Sequence, residues 1–498
     1  MAPRFKRLED VVVPLQYPVD FSSAVSGPLG LPQGGGTLWG ASWMGGKTVL
    51  GAEITRVWAI LFSLQRLFAG QASCGHVNRL LCRQSTQGGW ECPIQWCWAS
   101  LPSSFPLWVM EQNIEVGVVG AGTMGQGIAQ IAATAGHSVV LVDRDESALE
   151  RAMASLDRIL KRLVEKGRLD AGESGRILGR IQTATEVAAC AQSGLVIEAV
   201  VEDEAVKQGL FASLESVVSG DAVLASNTSS LSITRLAAGL HSPDRLIGLH
   251  FFNPAPLLPL VEVVPALQTK DGLVEEMATL MRDWGKQPAV AKDTPGFIVN
   301  RVARPFYGEA IRLYEEGVAD IATIDWAMTE LGGFRMGPFE LMDLIGNDIN
   351  YAVTESVWKA FHHDPRYTPS FSQKRNVDAG WLGRKSGRGW HVHADGVKRA
   401  EPRRDKDLGQ DILWRILVML INEAADAVFW GVASPEDVDR AMKGGVNYPK
   451  GLLQWAEEVG VDRCVETLDG LRARYGEERY RCSPLLRQCA KEQRGFFR

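Results

Sequence analysis

Residues 224–264 bring Ser229, His250, Asn253 and Glu262 close together in an otherwise apolar context. Short strand-like runs at 222–225, 246–249 and 260–264 are broken by Asn-Pro and Ala-Pro turns. A histidine and a carboxylate carried by separate strands can form a base and its orienter. Glu262 would accept a hydrogen bond from one ring nitrogen of His250 and offset the imidazolium charge. The other nitrogen would then be free to take a proton from a substrate hydroxyl. The same pair could instead be a satisfied core histidine and a solvated strand carboxylate, so the elements that position them must decide.

Those elements begin at residue 114. The run Ile114-Glu-Val-Gly-Val-Val119 reads as a strand, Gly120-Ala-Gly122-Thr123-Met124-Gly125 follows it directly, and 126–135 has helical spacing closed by Gly136. A second strand, 138–142, ends at Asp143. The first glycine permits a tight turn, the second lets the backbone approach a pyrophosphate, and the third lets the helix pack close with its N-terminus facing negative charge. Asp143 lies twenty-three residues after Gly120, where a carboxylate can hold both ribose hydroxyls and repel a 2'-phosphate. The cofactor expected is therefore NAD, held at Gly120, Gly122, Thr123, Met124, Gly125 and Asp143. Further strands (194–199, 222–225) alternate with helices (146–166, 203–218, 231–238), the last capped by Ser230 or Ser232. Such alternation builds an α/β doubly wound parallel sheet with ligands at the carboxyl ends of its strands. Ser229 and His250 both fall at or just beyond such ends, which favours the catalytic reading of His250.

Composition bounds the rest. A chain of 498 residues predicts about three domains, and its net charge of -6 argues against nucleic acid as the main partner. The longest apolar run, 57–64, is too short to span a membrane, and eight cysteines without a C-x-x-C pair fit a reducing cytoplasm. Residues 1–109 differ from the remainder: they hold seven of fifteen tryptophans and eight Lys or Arg against five Asp or Glu, with no sustained periodicity. Gly45-Gly46-Lys47-Thr48 lacks the first glycine and preceding strand of a phosphate loop. We expect a poorly structured N-terminal extension over 1–110, with Met110 just ahead of the first clear domain.

The motifs V-G-A-G-T-M-G-Q-G-I-A-Q, I-E-A-V-V-E-D, S-N-T-S-S-L-S-I, G-L-H-F-F-N-P, V-E-V and K-D-T-P-G-F-I-V-N-R run in order between positions 119 and 301. In these the chain resembles the L-3-hydroxyacyl-CoA dehydrogenase family. The resemblance implies a Rossmann-type sheet followed by two all-α domains like the C-terminal part of 6-phosphogluconate dehydrogenase. It implies His250 as base, Glu262 as its partner, and Ser229 and Asn300 as the groups that hydrogen-bond the reacting C3 oxygen. It also implies that Glu202, Lys207, Asn253 and Lys385 (in Gly383-Arg-Lys-Ser-Gly387) contact NAD and that Lys166 contacts the CoA of an acyl-CoA substrate.

Pro295 and Gly296 punctuate a hinge into a helix over 297–316 that is apolar on most faces. Shifting this region by 114 residues superposes Arg301 on Arg415, Glu309 on Glu423, Asp325 on Asp439, Gly337 on Gly451 and Gly346 on Gly460 without a gap. That is a duplicated helical domain, and Trp414 stands in the second copy where the first has Asn300. The domains expected are 111–294 for NAD, 295–393 for copy one and 411–490 for copy two, joined by a charged linker, 394–410. The linker-like character begins at His391, and nothing nearby completes a metal site with His391 and His393. The run Arg472-Ala-Arg-Tyr-Gly-Glu-Glu-Arg-Tyr-Arg481 reads as a solvated helix face.

The duplicated C-terminal region looks like that of long bacterial members of the family, which act on 3-hydroxyadipyl-CoA in phenylacetate breakdown or on 3-hydroxybutyryl-CoA. A distal carboxylate would want an arginine, and Arg304 and Arg335 are the two at hand. A sugar-acid dehydrogenase on the same scaffold and a non-catalytic, crystallin-like NAD-binding protein stay open as alternatives. The two helical copies could pair with each other as two subunits do in single-copy relatives, or the chain could form a homodimer.

Overall fold

The computed structural model of the chain describes residues 114–394 and 396–497, and within the N-terminal unit only a two-strand ladder, Arg83–Gln84 against Trp90–Glu91. The chain divides between Ser104 and Phe105. Apart from that ladder, what is expected of residues 1–110, Gly45-Gly46-Lys47-Thr48 included, lies outside the described residues.

The first half of the second unit is an eight-stranded sheet. Its strands are β1 (Val116–Val119), β2 (Val139–Val142), β3 (Ile181–Ala184), β4 (Leu195–Glu198), β5 (Val223–Ser226), β6 (Leu246–Phe251), β7 (Leu260–Pro265) and β8 (Gln287–Val290), in the spatial order β8-β7-β6-β5-β4-β1-β2-β3. Strands β1, β2, β4 and β5 are buried along their whole length and read as continuous apolar runs, as sheets covered on both faces require. Helices α1 (Thr123–Thr134), α2 (Glu146–Glu165), α3 (Ala171–Gly179), α4 (Glu204–Glu215), α5 (Ile233–Ala237) and α6 (Leu273–Asp283) connect the strands. Ser232, not Ser230, caps α5.

Two features depart from an all-parallel sheet with His250 at or just beyond a strand end. Strand β7 runs antiparallel to β6, with β8 parallel to β7. The reason is length: residues 252–259 are too few for a crossover connection, which takes a dozen or more. His250 also lies inside β6, which continues to Phe251, and not beyond its end.

The second half is helical: α7 (Val299–Val302), α8 (Arg304–Glu315), α9 (Ile321–Trp326), α10 (Pro338–Ile345), α11 (Asn347–Ala360), α12 (Phe371–Asp378), α13 (Lys406–Phe429), α14 (Pro435–Val446), α15 (Leu452–Val459), α16 (Val461–Tyr475) and α17 (Pro484–Glu492). The single helix expected over 297–316 starts at Val299 and is interrupted at Ala303, because Pro305 has no N–H to return to Arg301. The expected linker is shorter than its composition suggests. Helix α13 begins at Lys406, capped by Asp405, and His391 is buried with its ring on Asp325 (2.9 Å), while His393 bonds Asp343 (2.9 Å). The run 472–481 is a solvated helix face only as far as Tyr475, with Arg472 and Arg474 exposed. Gly476, in the left-handed region, ends α16, after which Arg479 is buried and Tyr480 fully so.

The duplication is visible in the geometry. Asp325 caps α10 through the amides of Phe339 (2.9 Å) and Glu340 (3.1 Å), and Asp439 caps α15 through those of Leu453 and Gln454 (2.9 Å each). A side chain at Gly337 or Gly451 would collide with that carboxylate. The copies face each other through reciprocal ion pairs, Arg301 with Glu423 and Arg415 with Glu309, both at 2.6 Å. An isologous contact between subunits has the same pattern, made here within one chain.

Candidate functional site

His250 and Glu262 are directly opposed residues of the antiparallel pair β6 and β7. Their side chains meet: His250 Nδ1 lies 2.6 Å from Glu262 Oε2, with Glu262 fully buried and His250 nearly so. The other carboxylate oxygen, Oε1, accepts from the amides of Ile298 (3.0 Å) and Val299 (2.9 Å). Those amides are presented by the turn at Gly296 (φ +73) and Phe297 (φ +46). Positive φ is sterically costly for phenylalanine and persists only where the surroundings hold it. Because an ionised carboxylate only accepts, Nδ1 must carry a proton, and Nε2 is left as the acceptor. The rings of Phe252 (4.3 Å between centroids) and Phe297 (6.0 Å) flank the imidazole and limit water around it.

Asn300 follows in α7 and donates from Nδ2 to the Ser229 carbonyl at 3.3 Å, joining the helical half to the loop after β5. Ser229 is itself held by Glu202, whose Oε1 accepts from the Ser229 amide (3.0 Å), the Thr228 hydroxyl (2.6 Å) and the Ser230 hydroxyl (3.0 Å). Burial alone would raise the Glu202 carboxyl, but the Lys207 ammonium and these donors outweigh it and hold it below the usual range. The hinge is fastened by Asp293, which accepts from the Ser232 hydroxyl (2.8 Å) and the Thr234 amide (2.7 Å) at the start of α5.

The glycine turn after β1 fits a dinucleotide. Gly120 has φ +108 and its missing side chain would press on the Ala199 carbonyl. A side chain at Gly125 would collide with the Gly120 carbonyl, whereas one at Gly122 would meet open space. Gly122 is the N-cap of α1 and offers no side chain to its free amides, which leaves them for an anion. Asp143, at the end of β2, accepts from the Ala121 amide at 2.8 Å and stands beside this turn. Thr123 and Met124 are exposed and half-exposed at the mouth of the turn, and Asn253 is exposed after β6.

The three lysines expected at the cofactor and the CoA stand in different surroundings. Lys207 is only 1% exposed, its Nζ 2.6 Å from the fully buried Glu198 and 3.2 Å from Glu202. Its ammonium thereby links Glu198 to the Glu202 carboxylate that holds the Ser229 loop. Lys385 is ion-paired to Asp348 beside Gly346 in the helical half. Lys166 is exposed at the C-cap of α2. Sequence reasoning missed Glu198, which also takes the Ser226 hydroxyl at 2.7 Å and the Val200 amide at 2.7 Å. An acid inside the apolar run L-V-I-E-A-V was its signal.

The chain matches two family models: the 3-hydroxyacyl-CoA dehydrogenase NAD binding domain over residues 115–294, and the 3-hydroxyacyl-CoA dehydrogenase C-terminal domain twice, over 296–393 and 412–495. It is 39% identical to the 3-hydroxyadipyl-CoA dehydrogenase of Escherichia coli K12, across 76% of this chain and 98% of that protein. Against the mitochondrial hydroxyacyl-coenzyme A dehydrogenase of Sus scrofa the identity is 40%, across 56% and 90%. A crystal structure of 3-hydroxybutyryl-CoA dehydrogenase from Escherichia coli K12 superposes with a TM-score of 0.72 at 39% identity, covering 76% of this chain and 99% of that one.

Proposed function

Because the chain belongs to the 3-hydroxyacyl-CoA dehydrogenase family, we propose that it oxidises an L-3-hydroxyacyl-CoA to the 3-oxoacyl-CoA, with His250 as the base. The observation that carries this reading is the 2.6 Å contact between His250 and a carboxylate that is itself fully buried and held by two backbone amides. Bound NAD supplies the hydride acceptor. Gly120, Gly122, Thr123, Met124 and Gly125 would hold its pyrophosphate, Asp143 its adenosine ribose, and Glu202 and Asn253 its nicotinamide end.

The C3 hydroxyl lies between Ser229, Asn300 and His250. Nε2 of His250 takes the hydroxyl proton as the C3–H bond breaks, and Glu262 stabilises the imidazolium that forms. Glu202 keeps Ser229 in place, and Asn300 ties the helical half to it, so the groups that bind the oxygen come from both halves of the fold. Phe252 and Phe297 lower the local permittivity, which strengthens the ion pair at the moment of transfer. A distal carboxylate on the acyl chain, as in a 3-hydroxyadipyl group, and the short chain of a 3-hydroxybutyryl group both fit this chemistry.

The test is NADH consumption with acetoacetyl-CoA by the native protein and by His250→Ala. We expect turnover that falls at least a thousandfold in the variant with NAD still bound. Binding of NAD without turnover by the native protein would support the crystallin-like alternative. Turnover of sugar acids in place of the thioester would support the sugar-acid one.

A further inference from the structure

Six arginines are buried among the described residues: Arg245, Arg301, Arg304, Arg366, Arg415 and Arg479. Five have a carboxylate within ion-pair reach: Arg245 with Glu215, Arg301 and Arg366 with Glu423, Arg415 with Glu309, and Arg479 with Glu477. Arg304 has none. Its Nε donates to the Asn300 carbonyl (2.8 Å), one terminal nitrogen donates to the Thr354 hydroxyl (3.1 Å), and the guanidinium lies over the Tyr307 ring at 5.0 Å. Burial is the main influence on it and disfavours its charge, and the phenolic oxygens of Tyr307 and Tyr448 are the neighbouring groups that favour it. The Tyr448 hydroxyl, contributed by the second helical copy, is buried with no hydrogen-bond partner. Arginine does not shed its proton, so this is a dry positive charge without a counter-ion beside an orphaned hydroxyl, an arrangement that costs stability unless a ligand completes it.

The duplication supplies a control. At the offset of 114, Asn300, Arg304, Tyr307 and Thr354 correspond to Trp414, Val418, Ile421 and Leu468, and Tyr448 corresponds to Phe334. Arg304, Tyr307, Thr354 and Tyr448 thus all have apolar counterparts in the other copy, where Val418, Ile421 and Leu468 are fully buried. The fold packs well without these polar groups; their presence in one copy serves something other than packing.

Position decides what that is. Arg304 follows Asn300 by four residues, across the interruption at Ala303, and its Nε–H bond to the Asn300 carbonyl holds the guanidinium beside that residue. The loop that carries Tyr448 follows Gly445, which sits against Leu260, Val299 and Phe252, the last in contact with the His250 ring. Resting on the dehydrogenase reading above, we infer that Arg304 and Tyr448 bind the terminal carboxylate of a 3-hydroxyacyl thioester whose acyl chain ends in a second acid. Three carbon–carbon bonds span about 4 Å, and a charge-assisted hydrogen bond adds about 3 Å. A carboxylate two or three carbons past C3 therefore reaches the guanidinium while the C3 oxygen stays on Asn300. Arg335, the other arginine at hand for this role, is exposed and carries no such signature.

The experiment compares kcat/KM for 3-hydroxyadipyl-CoA and 3-hydroxyhexanoyl-CoA, equal in chain length and differing only in the terminal carboxylate, with acetoacetyl-CoA as reference. The native protein should favour the dicarboxylic substrate at least tenfold. Arg304→Met should lower that ratio about a hundredfold, chiefly through KM, and Tyr448→Phe about tenfold, as expected for losing a charged and a neutral hydrogen bond. If Arg304→Met does not fold, Tyr448→Phe decides, since it removes one oxygen and leaves the ring. A native enzyme indifferent to the carboxylate, or variants that lower both substrates in equal proportion, would overturn the assignment. If neither substrate nor acetoacetyl-CoA reacts, the dehydrogenase reading itself has failed, and this inference with it.

Discussion

Replacing Glu262 with glutamine changes one oxygen for an NH2 group at a site with no room for ambiguity. The carboxylate now satisfies three donors: His250 Nδ1–H on Oε2, and the Ile298 and Val299 amides on Oε1. If the glutamine oxygen stays on the two amides, its NH2 faces Nδ1 and forces the tautomer with hydrogen on Nε2, which cannot accept a proton. If it turns round, the NH2 confronts two backbone N–H groups in the dry interior, at about 1–3 kcal/mol for each donor left unsatisfied. The charge is lost in either case. At a separation of about 4 Å and an effective permittivity of about 20, the carboxylate and the imidazolium attract by about 4 kcal/mol. At 1.36 kcal/mol per tenfold, kcat should fall on the order of a thousandfold. The cofactor turn is on other strands, so affinity for NAD should be unaffected. Steady-state NADH kinetics give kcat, and calorimetric titration with NAD gives Kd. A fall in kcat of less than about tenfold, or a loss of NAD binding with turnover spared, would refute the assignment of Glu262 as partner of the base.

Asp143→Ala should raise KM for NAD about 10–100-fold and erode the preference over NADP, since ribose hydrogen bonds to a charged acceptor are removed; an unchanged NAD to NADP ratio of kcat/KM would show that Asp143 does not read the ribose. Glu423→Gln should cost about 3–5 kcal/mol of unfolding free energy in urea, because Arg301 and Arg366 would both lose the charge of a fully buried carboxylate. The same change at Glu477, which is partly exposed, should cost clearly less. Burial pulls the Lys286 ammonium down to about 8, with Nζ donating to the carbonyls of Ala255 (2.5 Å) and Leu258 (2.9 Å). Between that value and the free lysine's value of about 10.4, the unfolded chain binds more protons. Stability of the native protein relative to Lys286→Met should therefore rise from pH 8 towards 10, and a flat difference across that range would contradict the sign.

The glycine turn with its strand and helix was legible because its pattern is local. A turn that needs three glycines, a helix N-terminus and an acid at a fixed distance leaves its mark on a few consecutive residues. The meeting of His250 with Glu262 was legible for a different reason: two short apolar runs joined by residues 252–259 bring an acid opposite a histidine. What the one-dimensional pattern could not carry was the direction of β7. Parallel and antiparallel strands share the same apolar signature, and only the length of the connection distinguishes them. Nor could it separate an exposed lysine from one withdrawn into the core. Lys207 reads as a helix-surface residue until Glu198, on a different element, takes its charge inside. His391 and His393 looked like the start of a charged linker for the same reason, since the aspartates that receive them, Asp325 and Asp343, are far away in sequence.

The second helical copy has Trp414 where the first has Asn300, yet it is not idle. Helix α14 lies against β7, β8 and α7, and Gly445 permits that approach, since a side chain there would press on Leu260 and Val299. These neighbours flank the Glu262 strand and the amides that hold its carboxylate. The copy thus buttresses the paired His250 and Glu262 from outside, while the places matching Asn300, Arg304, Tyr307 and Thr354 in it are filled with Trp414, Val418, Ile421 and Leu468. Two separate chains could supply such a buttress only by associating, with occupancy set by concentration. Carrying both copies in one chain makes the contact intramolecular, so the reciprocal pairs of Arg301 with Glu423 and Arg415 with Glu309 form at any dilution. Once the contact is permanent, the two copies no longer need to be equivalent, which frees one to keep Asn300 and Arg304 and the other to offer Tyr448.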